Sequence, residues 1–191
     1  MVPLNIPNVL TLLRILAVPV LVVALLDETP NGDLLAAIVF ALASLTDALD
    51  GYLARTRNWV TDFGKLMDPI ADKLLIIGAL VALVSLNKLP AWVAMVVIAR
   101  EFAVTAMRMN AVSYGLVIPA GIFGKAKTVT QVAMVFAVIL VGDTDPAWVK
   151  VLVYLSVAIT VASGVDYFFG IRARLREHQR VHGRERRVSD S

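Results

Sequence analysis

Four aspartates lie close together in a chain that is otherwise mostly apolar, and they are the residues best suited to do chemistry. Asp47 and Asp50 are three residues apart, and Asp68 and Asp72 are four apart. An ionised carboxylate at bilayer depth costs about 2.5–3.5 kcal/mol, so four of them without partners would cost on the order of 10 kcal/mol. A cation must therefore lie among them, and the sequence predicts a metal site.

The available side chains indicate which metal this site would hold. The chain has no cysteine, and its two histidines, His178 and His182, both lie in the polar C-terminal region. Carboxylate oxygens without thiolate or imidazole favour Mg²⁺ or Mn²⁺. Mg²⁺ usually keeps positions open for water and substrate phosphates. We therefore expect a phosphate-handling centre with room for two ions; the alternative is an ion network with Arg55, Lys65 and Lys73.

The elements that carry these residues are expected to be membrane helices. Apolar residues make up 59% of the 191 residues, which is more than a soluble domain of this size could bury. A spanning helix needs about 20 mostly apolar residues. Six stretches reach or approach that length, at residues 9–26, 34–54, 66–86, 91–113, 120–141 and 147–171.

The predicted fold is an all-α integral membrane protein with six transmembrane helices and a short N-terminal interfacial segment over residues 1–8. We expect one catalytic membrane domain over residues 1–171 and a basic cytoplasmic tail over residues 172–191, either solvated or drawn to anionic headgroups. The short connection between the second and third helices makes them antiparallel neighbours. Each aspartate pair shares one helical face, so the two pairs can face each other.

Lysines and arginines predict the orientation of the chain. One set of connections and the C-terminal tail carry most of them, whereas the opposite set is largely acidic. The positive-inside rule then places both termini and the aspartates on the cytoplasmic side of the plasma or inner membrane. The basic residues on that side outside the tail are Arg55, Arg57, Lys65, Arg108, Lys125 and Lys127.

The residues around the aspartates form a longer pattern that resembles a known family. From Asp47 the order is D-x2-D-G-x2-A-R-x8-G-x3-D-x3-D, with every fixed position filled. This resembles the signature of the CDP-alcohol phosphatidyltransferases. Segments NIPNVLTLLR from Asn5, MDPIADK from Met67, AREF from Ala99 and GKAKT from Gly124 resemble a bacterial branch of that family whose acceptor is glycerol 3-phosphate.

The resemblance implies a reaction and a metal centre. Such enzymes transfer the phosphatidyl group of CDP-diacylglycerol to an alcohol and release CMP. They are six-helix membrane proteins, commonly homodimers, with a cavity open to the cytoplasm. Carried over by position, Asp47, Asp50, Asp68 and Asp72 would hold two Mg²⁺ or Mn²⁺ ions, and Asp72 would also be the general base.

The resemblance also implies contacts with the CDP-lipid. Residues of the motif and the loop after it would bind the CDP moiety, and the start of the first helix would add further contacts. The motif and loop residues are Gly51, Arg55 and Thr61, and those of the first helix are Asn8, Thr11 and Arg14.

The acceptor is indicated by three cations outside the motif. Arg100 lies inside the fourth apolar stretch, and Lys125 and Lys127 lie near the start of the fifth. An intramembrane cation usually faces a cavity, so these residues are predicted to bind the phosphate of glycerol 3-phosphate. The alternative is that Arg100 pairs with Glu101 or an aspartate while the lysines only set the topology. Inositol phosphate would satisfy the same charges, and phosphatidylglycerol is a further alternative acceptor.

The aromatic residues and Asp166 give weaker indications, and a cation transporter is a rival function. The tryptophans and tyrosines, including Tyr167, fall near helix ends as an interfacial belt would. Asp166 in the sixth helix is a candidate for pairing with a basic residue. A divalent-cation transporter would also place carboxylates in a membrane, but it would not need Gly51 and Arg55 beside them. Membrane lipids are the expected surroundings, and nothing in the sequence predicts a nucleic-acid partner.

Overall fold

The computed structural model shows an all-helical chain. It describes residues 6–27, 31–57, 62–113 and 121–189, with side chains over residues 8–27, 31–47, 67, 69–113 and 121–174. Within these ranges the chain forms six helices in sequence. They are α1 (Ile6–Leu26), α2 (Gly32–Arg57), α3 (Asp62–Ser85), α4 (Ala91–Ser113), α5 (Ile122–Val141) and α6 (Ala147–Ser189). The predicted all-α class is confirmed.

The helix bounds match the predicted stretches best for α4, which spans residues 91–113 as expected. At the N-terminus the prediction was wrong in part, because α1 begins at Ile6 and takes in Pro7 and Asn8. A proline costs little in the first turn of a helix. At the C-terminus α6 continues to Ser189 instead of ending near residue 171, and no proline interrupts residues 172–189.

The turns after α3 and α5 fall between the predicted apolar stretches, and each contains a residue with positive φ. Asn87 adopts a positive φ of 57°, a conformation that asparagine tolerates better than most residues. Lys88 N–H then donates to Leu83 O at 2.9 Å, and Pro90 immediately precedes α4. Gly142 ends α5 with φ of 81°, and its N–H donates to Val138 O. These turns reverse the chain, so α4 runs antiparallel to α3 and α6 antiparallel to α5.

Helix packing places α1 against α2 and α3, and α6 against α4 and α5, while α2 also contacts α5. The interfaces are apolar over most of their length. Leu21, Phe40, Leu80, Val93 and Met134 are all fully buried in this core. The end of the bundle away from the aspartates is tied by an ion pair, in which Lys88 Nζ lies 2.6 Å from Asp33 Oδ1.

Three helices in the described ranges are long and apolar enough to cross a membrane by length and composition. They cover Asn8–Leu26, Ile122–Val141 and Ala147–Arg174. The remaining helices α2, α3 and α4 carry the four aspartates, Arg55 and Arg100 of the predicted site. The described part of the chain therefore confirms apolar helices of membrane-spanning length. The presence of six spans stays a prediction.

Helices α1 and α3 pack closely at Gly78. A methyl group at this position would lie 2.9 Å from Val18 Cγ1, closer than two such atoms can pack. We expect Gly78→Ala to destabilise the protein by about 1–3 kcal/mol through overpacking, less the roughly 1 kcal/mol that alanine gains in helix propensity. In a Val18→Ala background the collision is removed, so the same substitution should be neutral or stabilising.

The measurement is the thermal unfolding midpoint in detergent of the two single variants and the double variant. Gly170→Ala is the matched control, because a methyl group there meets nothing within 4 Å. Equal midpoints for Gly78→Ala and Gly170→Ala would contradict the close approach.

Candidate active site

The first helix presents a buried polar face at the polar end of the bundle, which we define as the end that contains Asn8, Asp47, Asp72, Lys127 and Asp166. Asn8, Thr11 and the long side chain of Arg14 are each at most 1% exposed. Their spacing of three residues keeps them on one side of α1. The buried face therefore brings a guanidinium group into the interior.

Arg14 forms an ion pair with the first aspartate of the motif. Its Nη1 lies 2.9 Å from Asp47 Oδ1. Arg14 was predicted to contact the CDP-lipid, whereas the structure places it against a predicted metal ligand. A buried cation of this kind requires a carboxylate partner, so the pair holds α1 against α2 at the polar end.

Asp47 and Asp72 line a common groove, which we call the apolar groove. It has a volume of about 500 Å³ and lies between α2, α3 and α5. Phe40, Leu75 and Phe136 are among the apolar residues of its walls. Asp47 is the last residue of the lining on α2 and Asp72 is the first on α3, so the two aspartates lie at one end of the groove. This arrangement suits a lipid whose polar group reaches the carboxylates.

The other predicted metal and CDP-lipid residues lie partly outside the described side chains. Helices α2 and α3 continue through Asp50, Gly51, Arg55 and Asp68, but the side chains there are not described, and Thr61 falls outside the described residues. Among the described side chains no three carboxylate or histidine groups come together. Asp47 and Asp72 are thus the part of the predicted metal centre whose side chains the structure places.

A second space, which we call the polar cavity, has a volume of about 190 Å³ and lies between α3, α4, α5 and α6. Asp72 and Thr128 line both the apolar groove and this cavity. Four cations face three carboxylates in its lining, so the balance favours an anionic ligand. These charged residues are Asp72, Lys73, Arg100, Glu101, Arg108, Lys127 and Asp166.

Arg100 and Lys127 are joined through Glu101. Arg100 Nη1 donates to Glu101 Oε1 at 3.2 Å, and Lys127 Nζ donates to the same oxygen. Arg100 Nη2 donates to Ser163 Oγ on α6 at 2.5 Å. The alternative pairing of Arg100 with Glu101 is therefore present in the structure. It does not remove Arg100 from the cavity, because Arg100 and Lys127 both remain in its lining.

Helix α6 leaves space for the side chain of Arg100. A methyl group on Gly164 would lie 3.3 Å from Arg100 Cγ, a separation tighter than most side-chain contacts. The adjacent Ser163 is 3% exposed and accepts the bond from Arg100. Successive residues of α6 thus give Arg100 both room for its stem and a partner for its guanidinium group.

The two predicted lysines of α5 lie on different faces. Lys127 is 8% exposed and lines the polar cavity, whereas Lys125 is exposed and is absent from that lining. Two residues separate their directions by roughly 200° around a helix. Of the three cations predicted to bind the acceptor, the structure therefore brings Arg100 and Lys127 together and leaves Lys125 outside.

The polar cavity is also lined by Arg108, Asp166 and Tyr167, which the sequence did not predict to lie there. Tyr167 is 8% exposed and lines the cavity, and Arg108 Cζ lies 5.7 Å from the centre of its ring. Asp166 lines the cavity but makes no ion pair among the described residues. The available signal was helical spacing, since Glu101, Thr105 and Arg108 recur every three to four residues along one face of α4.

The arrangement has a chemical consequence that centres on Asp72. Its carboxylate interacts electrostatically with Asp47, Lys127, Arg14 and Glu101. It lies where a groove suited to a lipid meets a cavity suited to a small anion. A group held in this position can act on two ligands that approach from different sides, which is the requirement for transfer between them.

Comparison with known proteins agrees with the sequence pattern. The family model for CDP-alcohol phosphatidyltransferase matches residues 4–178. The CDP-diacylglycerol--glycerol-3-phosphate 3-phosphatidyltransferase of Bacillus subtilis is 40% identical over 180 residues, covering 86% of this chain and 93% of that protein. A probable phosphatidylglycerophosphate synthase of Mycobacterium tuberculosis is 41% identical over 168 residues, covering 85% and 79%.

A more distant relative carries the same name as the Bacillus protein. The CDP-diacylglycerol--glycerol-3-phosphate 3-phosphatidyltransferase of Rickettsia bellii is 32% identical over 170 residues, covering 86% of this chain and 93% of that protein. The family match spans most of the chain, and it includes the four aspartates and the cations of the polar cavity. The chain is a membrane protein with apolar helices, and it belongs to the CDP-alcohol phosphatidyltransferase family.

Proposed function

We propose that this protein transfers the phosphatidyl group of CDP-diacylglycerol to glycerol 3-phosphate, giving phosphatidylglycerophosphate and CMP. The observation that carries the proposal is the position of Asp72, which lines both the apolar groove and the polar cavity. The family match and the names of the relatives support the same reaction.

The donor lipid is assigned to the apolar groove. Acyl chains would lie along its apolar wall, and the diphosphate would reach the end that contains Asp47 and Asp72. The residues proposed to hold the CDP moiety are Gly51, Arg55, Thr61, Asn8, Thr11 and Arg14. For Arg14 the ion pair with Asp47 adds a second task, which is to hold that carboxylate in place.

The proposed metal ligands are Asp47, Asp50, Asp68 and Asp72. Asp47 and Asp72 fit this assignment because both line the apolar groove. Their carboxylates offer only oxygen donors, which are the ligands that Mg²⁺ prefers. When bound there, two Mg²⁺ or Mn²⁺ ions would neutralise the diphosphate and stabilise CMP as the leaving group.

The protein side chains position the acceptor and take its proton. Arg100 and Lys127 would hold the phosphate of glycerol 3-phosphate, so that its free primary hydroxyl points toward Asp72. The hydroxyl oxygen attacks the β-phosphorus of CDP-diacylglycerol, and the bond from that phosphorus to the oxygen bridging the α-phosphorus breaks. CMP leaves with that oxygen. The hydroxyl proton passes to the carboxylate of Asp72.

Glycerol 3-phosphate fits the polar cavity better than the alternative acceptors. Neutral alcohols would leave the excess positive charge of the cavity lining without a balancing anion. Phosphatidylglycerol would have to bring a second pair of acyl chains to a small cavity with a charged lining. Inositol phosphate carries the same phosphate, and the names of the relatives favour glycerol 3-phosphate over it.

The proposal includes the arrangement in the membrane. All six helices would span the plasma or inner membrane, with the polar end, both termini and the active site on the cytoplasmic side. Residues 1–171 would form the catalytic domain and residues 172–191 a basic cytoplasmic tail. Lys125, on the exposed face of α5, is suited to nearby anionic headgroups. The functional unit would be a homodimer.

The first prediction from the proposed function concerns the acceptor. Purified protein in liposomes with CDP-diacylglycerol should release CMP with glycerol 3-phosphate, and chelation of divalent cations should stop the release. Inositol phosphate, phosphatidylglycerol and serine should give little or no CMP. Release with another acceptor alone would contradict the acceptor assignment. Cation flux into sealed liposomes without CDP-lipid would favour the transporter instead.

The second prediction concerns Asp72. Asp72→Asn keeps the size of the side chain but cannot take the hydroxyl proton, so kcat should fall by about a hundredfold or more. Binding of CDP-diacylglycerol should persist, as measured by quenching of the protein's fluorescence when the lipid is added. Asp145→Asn is the matched control, because that carboxylate is 89% exposed in the turn before α6. Turnover of Asp72→Asn near that of the control would remove Asp72 as the base.

The third prediction separates the two lysines of α5. Lys127→Met removes a cation from the polar cavity, so KM for glycerol 3-phosphate should rise by roughly tenfold or more, as expected for a lost bond to a charged group. Lys125→Met removes the same charge from the exposed face and should leave this KM nearly unchanged. The measurement is steady-state CMP release at saturating CDP-diacylglycerol. Equal effects would show that the cavity does not hold the acceptor.

A further inference from the structure

The polar cavity contains a carboxylate that the proposed reaction does not use. Glu101 follows Arg100 on α4, and its side chain is 12% exposed. A single oxygen, Oε1, accepts hydrogen bonds from Arg100 Nη1 and from Lys127 Nζ. Two cations from different helices therefore converge on one atom.

The two cations differ in the side-chain contacts that they make besides those with Glu101. Arg100 also donates to Ser163 Oγ, and its stem passes over Gly164. For Lys127, Glu101 is the only side chain that Nζ contacts by hydrogen bond or ion pair among the described residues. Lys127 is nevertheless 8% exposed. Its ammonium group is thus buried and hydrogen-bonded to Glu101, while Asp72 attracts it electrostatically without a direct bond.

Removal of this carboxylate would change the electrostatic balance between Arg100 and Lys127. Two positive groups in a partly buried site repel each other strongly, because the local dielectric constant is low. A carboxylate between them offsets that repulsion and also satisfies the buried ammonium group. Without it, the less supported cation, Lys127, would turn away from Arg100. The cavity would then offer one cation to an incoming phosphate instead of two.

We propose that Glu101 is a positioning residue that holds Arg100 and Lys127 as a converging pair for the acceptor's phosphate. The proposal rests on the function proposed above. Glu101 acts through the two cations and does not touch the reacting atoms. Its carboxylate differs in this from Asp72, which lies at the junction with the apolar groove.

The variants that test this role are Glu101→Gln and Glu101→Asp. Glutamine keeps the shape but removes the charge, whereas aspartate keeps the charge with a shorter reach. Phe102→Leu on the adjacent, 59% exposed position controls for substitution in α4. Asp143→Asn, in the exposed turn after α5, controls for the loss of a carboxylate. Circular dichroism and thermal unfolding in detergent confirm that each variant is folded.

Two measurements report on the cavity. The first is steady-state turnover with separate KM values for glycerol 3-phosphate and CDP-diacylglycerol. The second is calorimetric binding of inorganic phosphate, which needs no turnover. For Glu101→Gln we expect KM for glycerol 3-phosphate and Kd for phosphate to rise by about tenfold, with KM for CDP-diacylglycerol within about twofold of wild type. Glu101→Asp should recover part of the loss, and both controls should behave as wild type.

Other outcomes overturn the proposal. Tighter phosphate binding by Glu101→Gln would show that the carboxylate competes with the phosphate. Lower kcat with unchanged KM and Kd values would assign Glu101 a purely structural role. Failure of the wild type to use glycerol 3-phosphate would contradict the proposed function. The phosphate Kd would still decide the role of Glu101, because it is measured without the reaction.

Discussion

The structure depends on one electrostatic constraint, which is that an ionised side chain inside an apolar helical bundle needs a partner of opposite charge. Arg14 is almost completely buried and lies against Asp47. Lys127 is similarly buried and lies against Glu101. Breaking either pair would leave a charge stranded in a medium that solvates it poorly. Helices α1 and α2 are therefore joined by one pair of charges at the site, and α4 and α5 by another.

The same constraint explains why the polar groups are gathered at one end of the bundle. Charges scattered along the helices would have to be matched separately, whereas charges at one end can share partners. The antiparallel order of the helices makes this possible, since the starts of α1, α3 and α5 meet the later parts of α2, α4 and α6. The remaining length of the bundle is filled by apolar side chains such as Leu21, Phe40 and Met134.

The meeting of two differently lined spaces follows from this arrangement. Helices α3 and α5 lie between them and contribute Asp72 and Thr128 to both. On one side the neighbour is α2, whose apolar residues suit a lipid. On the other side the neighbours are α4 and α6, whose charged and hydroxyl side chains suit a small phosphate. A reaction between a lipid and a soluble phosphate needs such a junction, because its substrates come from different solvents.

The family and the helical class could be predicted from the sequence, because a spaced motif and apolar stretches are local features. The limits of α4 and the turns at Asn87 and Gly142 are local in the same way. Even the separation of Lys125 from Lys127 follows from helical periodicity. Only the tertiary structure decided that Arg14 pairs with Asp47, that Ser163 holds Arg100, and that Glu101 joins Arg100 to Lys127. Each of these arrangements joins positions on different helices, and which side chains meet depends on how the helices pack rather than on any pattern within one of them.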